Sequence, residues 1–216
     1  MLDAFLKPVL ANWPIWFVLL GFYFLFRFMG SAKGKGWIGE KVVSSIGLKR
    51  LDPYVYRVFD DVYLPRPDGN GTTQIDHVVV SRYGIFVIET KNLQGWIYGS
   101  AEQRQWTQVV FRKKNRFQNP LHQNALHTKA LQRFLGFDAD RFHSLVFFIG
   151  DCEFKTPMPD NVRKSGLRDW VLNKREPRLG EWELTTAANK IEALVAGTDR
   201  RQASKAHVLA CEHRRR

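Results

Sequence analysis

Two runs rich in β-branched and aromatic residues lie on either side of residues 83–84, which is the pattern of a β-hairpin. The stretch 74–92 reads QIDHVVVSRYGIFVIETKN. Successive side chains of a strand point to opposite faces, so Glu89 and Lys91 share one face. If the loop holds an even number of residues, as a Tyr-Gly loop does, Asp76 lies on that face close to Glu89. We therefore expect two acids, here called the acidic cluster, to meet a lysine in an otherwise apolar sheet.

The residues of the acidic cluster leave two interpretations open. A buried carboxylate is costly unless it is paired or bound to a metal. One interpretation is a charged end of the sheet, where an acid and the lysine form an ion pair. The other is a metal site in which Asp76 and Glu89 bind Mg²⁺ or Mn²⁺, with the Thr90 carbonyl as a further oxygen ligand. Lys91 would then orient or deprotonate a metal-polarised water and offset charge in the transition state.

The remaining hydrophobic pattern predicts a chain that alternates between helices and strands. Helical periodicity from Trp37 to Leu51 predicts a first helix, and Glu40 in its first turn either adds an acid to the cluster or only caps the helix. Residues 162–172 fit a strand or a helix, and residues 185–195 fit a short helix. One strand is predicted through 54–59 and 62–64, and further strands at 95–99, 105–111 and 144–149, the last covered on both faces.

Another helix is predicted to begin at Asn119-Pro120, since a cap residue followed by proline is the favoured order, and to stop at Gly136. Gln123 and His127 lie on a neighbouring face, from which either can reach a polar site, although solvent exposure is the default for His127. We expect His127 to be exposed to solvent. The apolar face of this helix is expected to contain Leu121, Ala125, Thr128 and Leu135.

Residues 9–29 are the most apolar part of the chain and are long enough to cross a bilayer core of about 20 helical residues. A cleaved signal peptide is disfavoured because bulky residues occupy 26–29, where a small-residue cleavage site is required. A buried core helix is the other alternative. The pattern favours an uncleaved transmembrane helix.

Basic residues predict the orientation of this helix. Arg27, Lys33 and Lys35 follow the span and only Lys7 precedes it, so the positive-inside rule puts the main domain in the cytoplasm. Residues 30–36 are rich in glycine and lysine and are predicted to be a flexible tether. The predicted location is the inner, cytoplasmic membrane, crossed once.

The charge of the whole chain points to a polyanionic partner, either nucleic acid or an anionic membrane surface, because the net charge is +12 over 216 residues. Two cysteines exclude a disulfide framework and a cysteine-based zinc finger. Residues 103–137 contain seven Lys or Arg and no acid, with aromatic residues interleaved. This pattern favours nucleic-acid binding over a merely solvated basic face, with residues 112–116 as a cationic turn. The predicted contacts are Arg104, Arg112, Lys113, Lys114 and Arg116.

Five motifs follow one another along the chain: Gly39-Glu40, Gln74-Ile-Asp-His77, Gly84-Ile-Phe-Val-Ile-Glu-Thr-Lys-Asn92, Gly95-Trp96 and Gln118-Asn-Pro-Leu-His-Gln123. Together they resemble the nuclease-related domain (NERD) family of the PD-(D/E)XK restriction-endonuclease-like superfamily. The resemblance covers about residues 37–150. One departure is Ile75, which stands where the superfamily name places a proline before the first acid.

The resemblance implies an α/β fold with a mixed sheet flanked by helices, and it assigns Asp76, Glu89 and Lys91 to catalytic positions. Glu40 and Gln123 match further polar positions of such nucleases. The predicted domains are an anchor and tether at 1–36, the nuclease-like core at 37–150 and a basic extension at 151–216.

Three functional hypotheses follow from these features. The first is a membrane-anchored nuclease that uses Mg²⁺ or Mn²⁺ to cut DNA, or RNA. The second is a noncatalytic module that binds or tethers nucleic acid on the same fold. The third is a membrane-associated scaffold whose basic surface meets lipid headgroups. The complete set of two acids and a lysine favours the first hypothesis, and the strandedness of the substrate and the oligomeric state stay open.

Overall fold

The computed structural model describes Tyr23, residues 47–67, Gly69 and residues 71–199. The chain divides into two compact units, Met1–Lys41 and Val42–Arg216, and the elements below belong to the second. The predicted membrane anchor, apart from Tyr23, lies outside the described residues, as do the tether, Glu40 and the start of the first helix. Among the described residues, no helix has the length and apolar character needed to cross a membrane.

The described part of the second unit contains nine strands, three α-helices and two short 3-10 helices at Leu48–Arg50 and Ala139–Arg141. The helices are α1 (Pro120–Leu135), α2 (Leu167–Leu172) and α3 (Glu181–Gly197). The strands are β1 (Arg57–Pro65), β2 (Thr72–Ser81), β3 (Gly84–Asn92), β4 (Gly95–Tyr98), β5 (Gln105–Val110), β6 (Lys113–Gln118), β7 (Phe142–Ile149), β8 (Cys152–Phe154) and β9 (Val162–Arg163).

The larger sheet has five strands in the order β1-β2-β3-β7-β9 and is mixed, as predicted. Strands β1 to β3 are antiparallel, whereas β7 runs parallel to β3 and β9. The predicted hairpin is confirmed, with its turn one residue earlier than expected, because Ser81 pairs with Gly84 and leaves Arg82-Tyr83 as the loop. Gly84 has φ +125°, and a Cβ there would lie 2.9 Å from the Arg141 carbonyl oxygen, so only glycine fits.

The smaller sheet has four strands in the order β6-β5-β4-β8. The prediction of a cationic turn at residues 112–116 is wrong, because β6 pairs with β5 and the turn is Phe111-Arg112. The pairing sets Phe117 opposite Trp106, and the two ring centroids are 6.3 Å apart. This contact stabilises a strand whose lysines and asparagine have low intrinsic strand propensity.

Helices cover both faces of the larger sheet. On one face, α1 and α3 pack on the strands through residues such as Leu131 and Ile191, which are fully buried with Val87. On the other face, α2 packs through Trp170 against Phe86. The mixed sheet flanked by helices, predicted from the sequence, is therefore confirmed.

Helix α1 begins and ends where the sequence predicts. The Asn119 side chain accepts a hydrogen bond from the Leu121 N–H at 2.9 Å, and Gly136 closes the helix in the left-handed conformation. Asn119 is fully buried, and its amide nitrogen lies within 3.1 Å of the carbonyl oxygens of Ser100, Ala101 and Gln103. The cap thus also attaches the start of α1 to the loop of the smaller sheet.

The predicted apolar face of α1 is partly wrong. Ala125 is exposed, and the face that meets the sheet contains the polar residues Asn124 and His127 beside Leu131. Both polar side chains find hydrogen-bond partners in the sheet, so their burial is tolerated.

The C-terminal elements resolve the ambiguous segments. Residues 162–172 contain both predicted alternatives, the two-residue strand β9 and the short helix α2. Helix α3 contains the predicted 185–195 helix and extends it at both ends.

We predict that Asn124→Ala lowers the free energy of unfolding by about 1–3 kcal/mol, because buried acceptors lose their donor. The Asn124 amide nitrogen lies 3.0 Å from the Val87 carbonyl oxygen, 2.8 Å from Ser144 Oγ and 3.1 Å from the Leu145 carbonyl oxygen. Urea unfolding of the full chain measures the change, with exposed Asn115→Ala as control. Equal stability of the two variants would contradict this role.

Candidate active site

Asp76 lies where β2 separates from β3. The backbone pairing of the two strands ends at His77 opposite Ile88. Beyond that point, β2 provides no backbone carbonyl to accept a hydrogen bond from β3. Asp76 Oδ2 instead accepts hydrogen bonds from the Thr90 N–H and the Thr90 hydroxyl, both at 2.8 Å. These two bonds hold the Asp76 carboxylate beside the end of β3.

Glu89 is 2% exposed, and both of its carboxylate oxygens have partners. Lys91 Nζ donates to Oε1, and His127 Nε2 lies 3.0 Å from Oε2. Lys91 Nζ also donates to Gln123 Oε1 at 2.9 Å. Two residues of β3 and two of α1 therefore form one connected polar group, as the sequence predicted for Gln123 but not for His127.

His127 is the functional candidate that sequence reasoning missed. It was expected to be exposed, yet it is 4% exposed, and its Nδ1 lies 2.7 Å from Thr73 Oγ1. Both ring nitrogens of His127 therefore have a hydrogen-bond partner, Nε2 at Glu89 and Nδ1 at the Thr73 hydroxyl. The signal was available in the spacing, because His127 follows Gln123 by four residues and so lies beside it on α1.

The two acids of the cluster differ in their affinity for protons. Burial, and then the negative charge of Glu89, raise the pKa of Asp76 to about 6, against the hydrogen bonds from Thr90 and the charge of Lys91. Burial also acts to raise the pKa of Glu89, but Lys91 and His127 outweigh it and lower that pKa below its ordinary value. Glu89 is therefore ionised at neutral pH, and the repulsion between the acids falls on Asp76.

The two carboxylates fit a divalent cation in their chemistry. Mg²⁺ prefers oxygen ligands, and a cation beside the acids would relieve the repulsion that raises the Asp76 pKa. Each Glu89 oxygen has one of these partners and keeps a second lone pair, so Glu89 can bind a metal while Lys91 and His127 stay in place. The described ranges contain no group of three or more His, Cys, Asp or Glu side chains arranged to hold a metal. Glu40 lies outside them.

His77, next to the acidic cluster, belongs to a different contact. It is 3% exposed, and its Nδ1 lies 2.7 Å from Asp60 Oδ1. Burial acts to lower the pKa of His77, but the bond to Asp60 and the nearby acids raise it. The Gln-Ile-Asp-His motif thus carries one residue of the acidic cluster and one residue that joins β2 to β1.

The predicted nucleic-acid contacts lie on the smaller sheet, whereas the acidic cluster lies on the larger one. All five side chains are exposed. Arg104 precedes β5, and Arg112 is in the turn between β5 and β6. On β6, Lys114 and Arg116 share one face, whereas Lys113 is on the other.

The sequence profile of the nuclease-related domain family matches residues 35–149 of this chain. An uncharacterized protein of Bacillus anthracis is 52% identical to the chain over 100 residues, which cover 46% of each protein. The match thus spans about half the length of this curated relative. No solved structure matches the chain.

We predict that Asp76→Asn stabilises the full chain by up to about 3 kcal/mol near pH 7.5, since the Asp76 pKa of about 6 lies roughly two above its ordinary value and each of these corresponds to about 1.4 kcal/mol. The folded-state pKa of about 6 exceeds the ordinary value of 3.8, so the wild-type penalty is complete above about pH 6 and absent below about pH 4. The gain should therefore vanish in acid. Urea unfolding near pH 7.5 and below about pH 4 measures this gain in stability.

The control for this experiment is Asp151→Asn, which removes an exposed acid. If Asp76→Asn destabilised the chain equally at both pH values, the hydrogen bonds to Thr90 would outweigh the repulsion from Glu89, contrary to our interpretation.

Proposed function

Because this chain belongs to the nuclease-related domain family, within the PD-(D/E)XK-like nuclease superfamily, we propose that it is a metal-dependent nuclease that hydrolyses phosphodiester bonds of DNA or RNA. The observation that carries the proposal is the meeting of Asp76, Glu89 and Lys91 at the end of β3. A paired acid and lysine beside a second acid of raised pKa is an arrangement that supports phosphate chemistry.

Lys91 supplies the positive charge of the proposed site. An ammonium group has three N–H donors, and Glu89 and Gln123 accept two of them. The third is left for a phosphate oxygen or for the attacking water. Because its position is fixed by two partners before substrate arrives, Lys91 can offset charge that develops in the transition state with little reorganisation.

Asp76 and Glu89 would hold the metal ion, with the Thr90 carbonyl as a further oxygen ligand. Bound Mg²⁺ or Mn²⁺ polarises the phosphate and lowers the pKa of a bound water. Gln123 keeps Lys91 in place during this chemistry.

His127 and Thr73 act as positioning residues in this proposal. His127 Nε2 forms a hydrogen-bond contact with Glu89 Oε2, and the Thr73 hydroxyl forms one with His127 Nδ1. Such outer partners orient a ligating carboxylate and set its basicity, and their loss typically costs about 10- to 100-fold in metal affinity or activity.

A second candidate function is noncatalytic binding of nucleic acid. One observation favours it: both Glu89 oxygens are engaged by protein side chains, which is also what a purely structural ion-pair network requires. The two candidate functions differ in one observable: a nuclease cuts nucleic acid, whereas a noncatalytic module only binds it.

We also propose that residues 9–29 anchor the chain in the inner membrane with the main domain in the cytoplasm. The support is the apolar run and the excess of basic residues after it. An anchored nuclease would act on nucleic acid that comes close to the membrane.

We predict that the full chain cuts nucleic acid with Mg²⁺ or Mn²⁺ and not with a chelator. Glu89→Gln and Lys91→Ala should each slow cleavage at least about 100-fold, as removal of one group that stabilises the transition state does, while nucleic-acid binding remains. His127→Ala should slow it about 10- to 100-fold. Cleavage of labelled single-stranded and double-stranded DNA and RNA measures these effects.

The control is His122→Ala, which removes an exposed histidine of the same helix and should leave the cleavage rate unchanged. Wild-type protein that binds nucleic acid but cuts none of the panel would favour the noncatalytic module.

We predict that the full chain stays in the membrane pellet after high-salt and carbonate washes. Leu19→Lys combined with Leu20→Lys should move it to the wash, because each lysine at the centre of a span costs about 2.5–3.5 kcal/mol on insertion scales. Release of the wild-type chain by either wash would contradict a spanning helix.

A further inference from the structure

The smaller sheet has an outer face on which two rows of side chains repeat the same order. Each row crosses three strands, with an aromatic residue on β4, a short side chain on β5 and a cation on β6. The pairing of β4 with β5 and of β5 with β6 sets this order. The rows are Trp96–Val109–Lys114 and Tyr98–Thr107–Arg116.

The aromatic residues of this outer face are not part of the core. Trp96 is 48% exposed and Tyr98 is 36% exposed. The core of the smaller sheet lies on its opposite face, where Ile97 and Trp106 are fully buried. An indole and a phenol beside each other at the surface form an apolar patch that packing inside the protein does not explain.

The charge around the aromatic pair is positive. Lys114 and Arg116 are exposed at the far end of each row. Lys155 Nζ lies 4.9 Å from the centre of the Trp96 ring. The acid on this face of β8, Glu153, is paired with Lys155 at 2.5 Å, so these two charges offset each other and Lys114 and Arg116 make the face positive.

We propose that this outer face binds single-stranded nucleic acid, with bases stacked on Trp96 and Tyr98 and phosphates against Lys114 and Arg116. Aromatic side chains bind the faces of unpaired bases whatever their sequence, and flanking cations follow the backbone. Bases inside a duplex are stacked on one another, so their faces cannot lie on a sheet surface. The ligand class is therefore an unpaired strand.

The spacing of the rows fits an extended strand. Residues two apart on a strand are about 7 Å apart, which is twice the spacing of about 3.4 Å between nucleotides along one strand of a duplex. Each cation is two strands away from its aromatic residue, about 10 Å across the sheet. Two successive bases that are drawn apart can thus occupy both rings.

The turn between β5 and β6 presents one more aromatic side chain. Phe111 is 97% exposed and has φ +53°, a backbone conformation that is costly for a bulky residue. Arg112 and Lys113 follow it. An apolar side chain at the tip of a cationic hairpin can insert between bases and keep them apart.

The outer face adjoins the candidate active site along the chain. Trp96 follows Lys91 by five residues, so their Cα atoms are at most about 18 Å apart. A few nucleotides of an extended strand can span that distance. That this strand is the substrate rests on the proposed function, whereas its binding does not.

The test is the affinity of the full chain, in chelator, for a labelled oligothymidylate of about 20 nucleotides and for a duplex of the same length. A strand of this length exceeds the range of about 4–16 nucleotides that one such site covers. Trp96→Ala and Tyr98→Ala should each weaken oligothymidylate binding about 5- to 100-fold and leave duplex binding and the salt dependence unchanged. Lys114→Gln with Arg116→Gln should instead reduce the slope of log affinity against log salt by about 0.7 for each phosphate that the variant no longer neutralises.

Trp182→Ala is the matched control for Trp96, since Trp182 is 72% exposed on α3, and Tyr54→Ala matches Phe111→Ala, since Tyr54 is 97% exposed. Phe111→Ala should also weaken oligothymidylate binding, whereas both controls should not. A reduction in affinity for Trp96→Ala no larger than for Trp182→Ala would overturn the proposal. An equal reduction for duplex and single strand would overturn it too, because the face would then recognise a duplex.

The outcomes separate this proposal from the nuclease proposal. A chain that cuts nucleic acid but binds oligothymidylate independently of Trp96 and Tyr98 contradicts only the stacking surface. A chain that binds oligothymidylate through these rings but never cuts nucleic acid supports the surface and contradicts the nuclease.

Discussion

The buried charge of Glu89 is the constraint on which the surrounding structure depends. Removing a carboxylate from water costs several kcal/mol unless charge and hydrogen bonds compensate. Lys91 comes from the same strand, but His127 comes from α1, so the carboxylate is satisfied only when α1 is packed on the sheet. The Asn119 cap and the buried Asn124 amide fix α1 in the same place. Local helix chemistry and the polar site therefore reinforce one another.

Asp76, unlike Glu89, lowers the stability of the fold at neutral pH. Its pKa is raised to about 6 because it is buried beside Glu89, so at neutral pH the fold maintains a repulsion that a neutral side chain would remove. Thr90 offsets part of this cost with two hydrogen bonds. A residue kept in place at a cost to stability is typical of a site that is occupied by a ligand or a metal during function.

Local rules of the chain predicted much of the larger sheet and helix α1. Strand alternation predicted that Asp76 and Glu89 would meet, and the Asn-Pro order predicted where α1 begins. The shift of the hairpin turn did not matter to the site, since a loop of two residues keeps the same faces together.

The errors share a physical cause, because each depends on side-chain partners that lie on another element. Strand β6 consists mainly of lysine, asparagine and arginine, and the contact of Phe117 with Trp106 stabilises its pairing with β5. His127 is buried because Glu89 and Thr73 lie across from it, and no periodicity of apolar residues reports such partners. Helix patterns indicate which faces are apolar, but they do not indicate which polar side chains are satisfied inside.

The most direct test of whether the acidic cluster is a metal site, and not only an ion pair at the end of a sheet, is calorimetric titration of the full chain with Mn²⁺. We predict saturable binding to the wild-type chain that is absent in both Asp76→Asn and Glu89→Gln and kept in Asp151→Asn. Equal binding to all four proteins, or none to the wild type, would contradict a metal-dependent site at Asp76 and Glu89.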